Sequence, residues 1–93
     1  MSVFKSRFEI YNAALIQYGI INQQFMLVEE CGELLNAIAK TRRARASKEE
    51  VLTELADVSI MIEQMAFFYG WENFRLEKKR KLGRLQNKLF TNT

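Results

Sequence analysis

Residues 29–40 read Glu29-Glu30-Cys31-Gly32-Glu33-Leu34-Leu35-Asn36-Ala37-Ile38-Ala39-Lys40. After 20 residues following Glu33 comes a second acidic word, Glu54-Leu55-Ala56-Asp57. Five of the chain's 11 acids therefore sit in two short words, each inside an otherwise apolar segment. The apolar spacing around both words is that of one face of a helix: Leu27, Cys31, Leu34 and Ile38 in the first segment, and Val51, Leu55, Val58, Ile62, Met65 and Tyr69 in the second.

The same spacing extends to both ends. Phe4, Phe8, Tyr11, Leu15 and Tyr18 form a stripe that Gly19 ends. The second helix is expected from about Asn22 to about Arg42, and the arginine-rich residues 41–47 read as a loop. Ser47 followed by Glu50 matches a capping box, so a third helix should start there. Gly70 is its expected C-terminal cap. A fourth helix carries Trp71, Phe74, Lys78, Leu82, Leu85 and Leu89 in register, and residues 91–93 read as a frayed tail. The chain has no proline, four glycines and no convincing alternation of apolar and polar residues. The expectation is an all-α, four-helix bundle-like protomer, a single domain over residues 1–93. Short connections make neighbouring helices antiparallel.

Composition bounds the class. The chain is 48% hydrophobic and 27% charged, which is globular rather than disordered. It contains no apolar run long enough for a membrane span or a signal peptide, and its one cysteine cannot make an internal disulfide. A cytoplasmic protein without a membrane partner is expected. The net charge of +3 hides a segregation: residues 29–63 hold eight of the 11 acids, and the bases gather in residues 40–48 and 75–88.

A helix turns about 100° per residue, so Glu29 and Glu33 lie about 40° apart, and Glu30 and Glu33 about 60°. Glu54 and Asp57 are also about 60° apart, one turn separated. Met26, Glu30, Glu33, Ala37 and Lys40 share a row on one helix. Glu54, Asp57, Met61, Gln64 and Phe68 share a row on the other. Both rows run beside an apolar stripe, so packing the stripes together should bring the carboxylates face to face. Crowded carboxylates need a counter-charge. There is no histidine, and Cys31 falls on the apolar stripe, which argues against zinc and for a hard oxygen-seeking cation such as Mg²⁺. Any general base must then be a carboxylate.

Glu-Glu-x-x-Glu followed at this distance by Glu-x-x-Asp resembles the MazG-like, all-α nucleoside triphosphate pyrophosphohydrolases, a group that includes dimeric dUTPases and dCTP pyrophosphatases. The surroundings of both words, including Gly32 and Lys40, are similar too, and the likeness covers roughly residues 20–85. It implies hydrolysis of a nucleoside triphosphate to the monophosphate and pyrophosphate with Mg²⁺, or Mn²⁺ as a substitute. It implies Glu30, Glu33, Glu54 and Asp57 as metal ligands, and Glu29 as holding the attacking water or a further metal. Lys40, Lys78, Lys81 and Arg84 become candidates to neutralise the triphosphate. Gln24, Phe25, Phe68 and Trp71 lie where a base could stack or be read. Gly32 is expected to allow close helix approach beside the metal, and Cys31 to be a small core residue. The family builds its site across subunits, which implies a homodimer or homotetramer.

Two other classes compete. A basic helical nucleic-acid-binding module fits residues 75–88 and a pI near 9.2, but leaves the acid rows without a purpose, so nucleic acid is not the expected partner. A non-catalytic regulatory bundle would keep the fold, although all five motif acids are present.

Overall fold

The computed structural model describes residues 5–90. Phe4, expected at the head of the first stripe, and the tail at residues 91–93 lie outside them. Four helices follow in order: α1 (Arg7–Tyr18), α2 (Ile20–Arg42), α3 (Lys48–Tyr69) and α4 (Trp71–Phe90). No strand occurs among the described residues. The fold class is all-α, with four helices.

The helix ends have local causes. Ser6 Oγ accepts from the Glu9 amide at 3.1 Å and starts α1. Ser47 Oγ accepts from the Glu50 amide at 3.2 Å and starts α3, as the Ser-x-x-Glu pattern predicts. Gly19 and Gly70 take φ of 83° and 136°, conformations that side chains disfavour, and each breaks the chain between two helices without a longer loop.

α2 and α3 form the main pair, with α1 lying against both. The buried set is Tyr11, Gln23, Ala37, Val58, Met61, Gln64, Met65 and Ala66. This departs from the expected stripes. Ile38, Leu55, Ile62 and Tyr69 remain 43%, 44%, 41% and 67% exposed, whereas Gln23 and Ala37, from the acid side of α2, are buried. The pair is thus rotated toward the acid rows. Ala37 is small enough to admit α3 closely, and Gln23 and Gln64 satisfy each other, so burying them leaves no polar group unmatched. Val58, Met61 and Met65 fill the space between, each worth roughly 1.5–3 kcal/mol on full burial.

α4 projects from this core. Trp71 and Phe74 reach back to the α1–α3 surface, with the Trp71 ring 5.0 Å edge-on from Phe8. Beyond Phe74 nearly every residue is exposed, and α4 buries none. The radius of gyration is accordingly 16.7 Å, against roughly 12 Å for a compact chain of this length.

Candidate metal centre

One hydrogen bond sets the register of the central pair. Gln23 Nε2 donates to Gln64 Oε1 at 2.6 Å, and both residues are buried. The helices are antiparallel, so each step along α2 matches a step back along α3. Seven steps bring Glu30 level with Asp57, and ten bring Glu33 level with Glu54. The result is a cluster in which one carboxylate oxygen from each of Glu30, Glu33 and Glu54 lies within 4.8 Å of the other two. Asp57 is half-buried beside this cluster, and Glu29 is exposed at its edge.

Among the described residues, no base answers the charge. The Oε2 atoms of Glu30 and Glu54 are sealed from solvent and have no hydrogen-bond partner among the described residues. Glu9, Glu63, Glu72 and Glu77 are all in ion pairs, but none of the five motif acids is, among the described residues. The Glu30 carboxyl is held above the usual range by burial first, then by the charges of Glu33, Asp57, Glu54 and Glu29. Burial likewise pushes up Glu54, reinforced by Glu33 and Asp57. Although Asp57 is outside the three-oxygen cluster, it acts on both of its sealed members.

These residues fit a hard divalent cation. The donors are carboxylate oxygens only, they come from two helices, and two of their oxygens are buried without a partner among the described residues. Cys31 is half-buried, free and outside this donor set.

Two cavities border the cluster along α2. The first, of about 350 Å³, is lined by Glu33, Asn36, Ala37, Lys40, Glu50, Thr53 and Glu54. The second, of about 500 Å³, is lined by Tyr18, Asn22, Gln23, Phe25, Met26 and Glu29. Lys40 is thus placed beside Glu33 and Glu54 without forming an ion pair among the described residues. Phe25 stands 67% exposed in the second cavity.

Other expected contacts lie elsewhere in the protomer. Gln24 is about 120° round α2 from Glu30, and its Nε2 donates to the Tyr69 hydroxyl at 2.5 Å. Phe68 is exposed and packs edge-on against Tyr69. Trp71 and Lys78 line a cavity with Leu34, Leu55 and Phe74 that shares no lining residue with the two cavities beside the cluster. The Lys78 ammonium sits 5.8 Å from the Phe74 ring centre. Lys81 and Arg84 lie on the projecting part of α4, Lys81 3.9 Å from Glu77. Gly32 is exposed, and a Cβ placed on it would meet nothing within 4 Å, so no close helix approach occurs there among the described residues.

Several lining residues escaped sequence reading: Tyr18, Asn22, Asn36, Glu50 and Thr53. For the first two a signal was available. A glycine break at Gly19 puts a polar residue four positions after Tyr18, across the junction of two helices. Searches against protein-family models, curated proteins and solved structures found no match to this chain.

Proposed function

We propose that the protein is a Mg²⁺-dependent nucleoside triphosphate pyrophosphohydrolase, cleaving a (d)NTP to the (d)NMP and pyrophosphate, and that it belongs with the MazG-like enzymes it resembles. One observation carries the reading: three carboxylates from two helices converge within 4.8 Å, two of their oxygens are sealed without partners, and no base pairs with them among the described residues. A structural role would have supplied the missing partners, because leaving buried charge unmatched is costly.

Glu30, Glu33 and Glu54 would hold the cation, with Asp57 adding charge beside them. When bound, Mg²⁺ supplies charge neutralisation at phosphate oxygens and a water of lowered pKa. Glu29, exposed at the edge, is free to accept the proton of the attacking water. The water oxygen bonds to the α-phosphorus, the bond to the bridging oxygen breaks, and pyrophosphate leaves. Lys40 offers its charge to the phosphate tail from the cavity it shares with Glu33 and Glu54. The active form is a homodimer or homotetramer. The exposed Leu82, Leu85 and Leu89 of α4 support association, since a row of this kind is covered in a stable particle.

The test is incubation with each (d)NTP and Mg²⁺ or Mn²⁺, with pyrophosphate measured. Release from no triphosphate under either metal sinks the reading.

A further inference from the structure

We infer that the cavity at the junction of α1 and α2 holds the nucleobase of the substrate and selects bases carrying an exocyclic amine. The inference rests on the triphosphate reading above and adds to it the part of the substrate that the acids do not read.

Position comes first. The cavity includes Glu29, which acts electrostatically on Glu30, and Met26, which shares the helical row of Glu30 and Glu33. A molecule with its phosphates at the carboxylate cluster and toward Lys40 has its other end here. The volume of about 500 Å³ lies inside the range of roughly 300–1,000 Å³ usual for small-molecule sites. Tyr18 and Phe25 line it, 55% and 67% exposed, so aromatic surface is available to stack on a base.

Selectivity follows from one amide. Gly19 ends α1 and leaves the Tyr18 carbonyl without a helical partner. Asn22 Nδ2 donates to that carbonyl at 2.8 Å. A carbonyl only accepts, so this bond assigns the two ends of the Asn22 amide: nitrogen to Tyr18, oxygen away from it. Asn22 Oδ1 has no partner among the described residues, and the residue lines the cavity. An acceptor fixed in this way matches the –NH₂ of cytosine or adenine. Against the keto oxygen of uracil or hypoxanthine it is left unmatched and repelled. Asn22 is exposed in the free protein, so discrimination arises once a base stacked on Tyr18 and Phe25 excludes water from this amide and a keto partner then leaves Oδ1 unpaired.

The experiment compares pairs that differ at this one group: dCTP with dUTP, and dATP with dITP, as kcat/KM with Mg²⁺. The amino member of each pair should be favoured by at least about tenfold. Asn22→Ala should bring the ratio near one, whereas Phe25→Ala should weaken both members of a pair alike and preserve the ratio. Equal use, a keto preference, or an unchanged ratio in Asn22→Ala overturns the inference. Since Asn22 also caps α1, a poorly folded Asn22→Ala leaves the wild-type ratios and Phe25→Ala to decide it. Binding of CMP and UMP, followed by the ring-proton NMR signals of Tyr18 and Phe25, reads the cavity without turnover. CMP binding about tenfold tighter than UMP, with no triphosphate hydrolysed, would keep the cavity and reject the catalytic reading. Hydrolysis without base preference would do the reverse.

Discussion

The two halves of the α2–α3 interface treat buried polar groups in opposite ways. At one end Gln23 and Gln64 bond each other at 2.6 Å, and the Tyr11 hydroxyl donates to Glu63 Oε1 at 2.7 Å, with Arg7 3.3 Å from the same carboxylate. At the other end Glu30, Glu33 and Glu54 crowd together, and two of their oxygens find no partner among the described residues. The α2–α3 pair contributes to both, and α1 joins it at the matched end through Tyr11 and Arg7. The amide end shows that this fold can match its polar groups internally. Under the proposed function, the acid end is the set of ligands that takes a cation from solution.

The largest effect expected from breaking this contrast is on catalysis. Glu33→Gln should lower kcat by at least about a thousandfold, which corresponds to roughly 4 kcal/mol of lost transition-state stabilisation. Helical content by circular dichroism should be unchanged. Glu63→Gln, at the matched end, should leave turnover within about twofold, because the new amide oxygen still accepts from Tyr11. Equal losses in both variants would erase the functional distinction between the two ends.

Gln64→Leu probes the matched end. It strands the Gln23 amide in a buried position, which should cost about 1–3 kcal/mol in urea unfolding. Adding Gln23→Leu should recover much of that loss, since removing both partners leaves nothing unsatisfied. A double variant as unstable as the sum of two separate losses would show that the amides are not a closed pair.

How far this contrast was legible from sequence differs between its two ends. Helix limits were readable because their signals are local: Ser47 with Glu50, and the glycines at 19 and 70. The acid cluster was readable because carboxylates one turn apart on two helices share faces whatever the exact rotation. The amide end was not. Gln23 and Gln64 each look like surface residues, and only their partnership makes burial affordable. The rotation that buries Ala37 and exposes Ile38 is decided by that pair and by side-chain size, not by apolar periodicity. Leu82, Leu85 and Leu89 read as core on spacing alone, yet α4 leaves them exposed because the stretch beyond Phe74 has little to pack against in one protomer.

Titration sharpens the comparison further, because both ends hold raised pKa values in different windows. Glu30 and Glu54 sit above the ordinary carboxylate value of 4.5 in the folded state. A raised folded value means that stability is present below pH 4.5 and is lost as pH climbs through the folded values. In EDTA the Tm should therefore fall on moving from acid toward neutral pH, and Mg²⁺ should suppress that fall. Tyr11 is pushed up to about 12, by burial first and then by its bond to Glu63. Its contribution should persist to pH 10 and disappear between 10 and 12, and Tyr11→Phe should flatten that region alone. A Tm indifferent to Mg²⁺ at neutral pH would mean that the acid end binds no cation.

The smallest effect concerns Gly32, which stands between the motif acids on the exposed surface of α2. A glycine inside a helix costs about 1 kcal/mol relative to alanine. Among the described residues, nothing beyond α2's own adjacent backbone lies within 4 Å of the position its Cβ would occupy, so no packing there offsets that cost. Gly32→Ala should then raise stability by about 1 kcal/mol in dilute protein, where association is weakest. The sign at higher concentration tests the oligomer. If a second copy packs against this turn, the added methyl group weakens association, and the gain shrinks or reverses as concentration rises. A gain independent of concentration, with sedimentation unchanged, would place any subunit contact elsewhere on the protein, leaving the exposed leucines of α4 as the surface to examine.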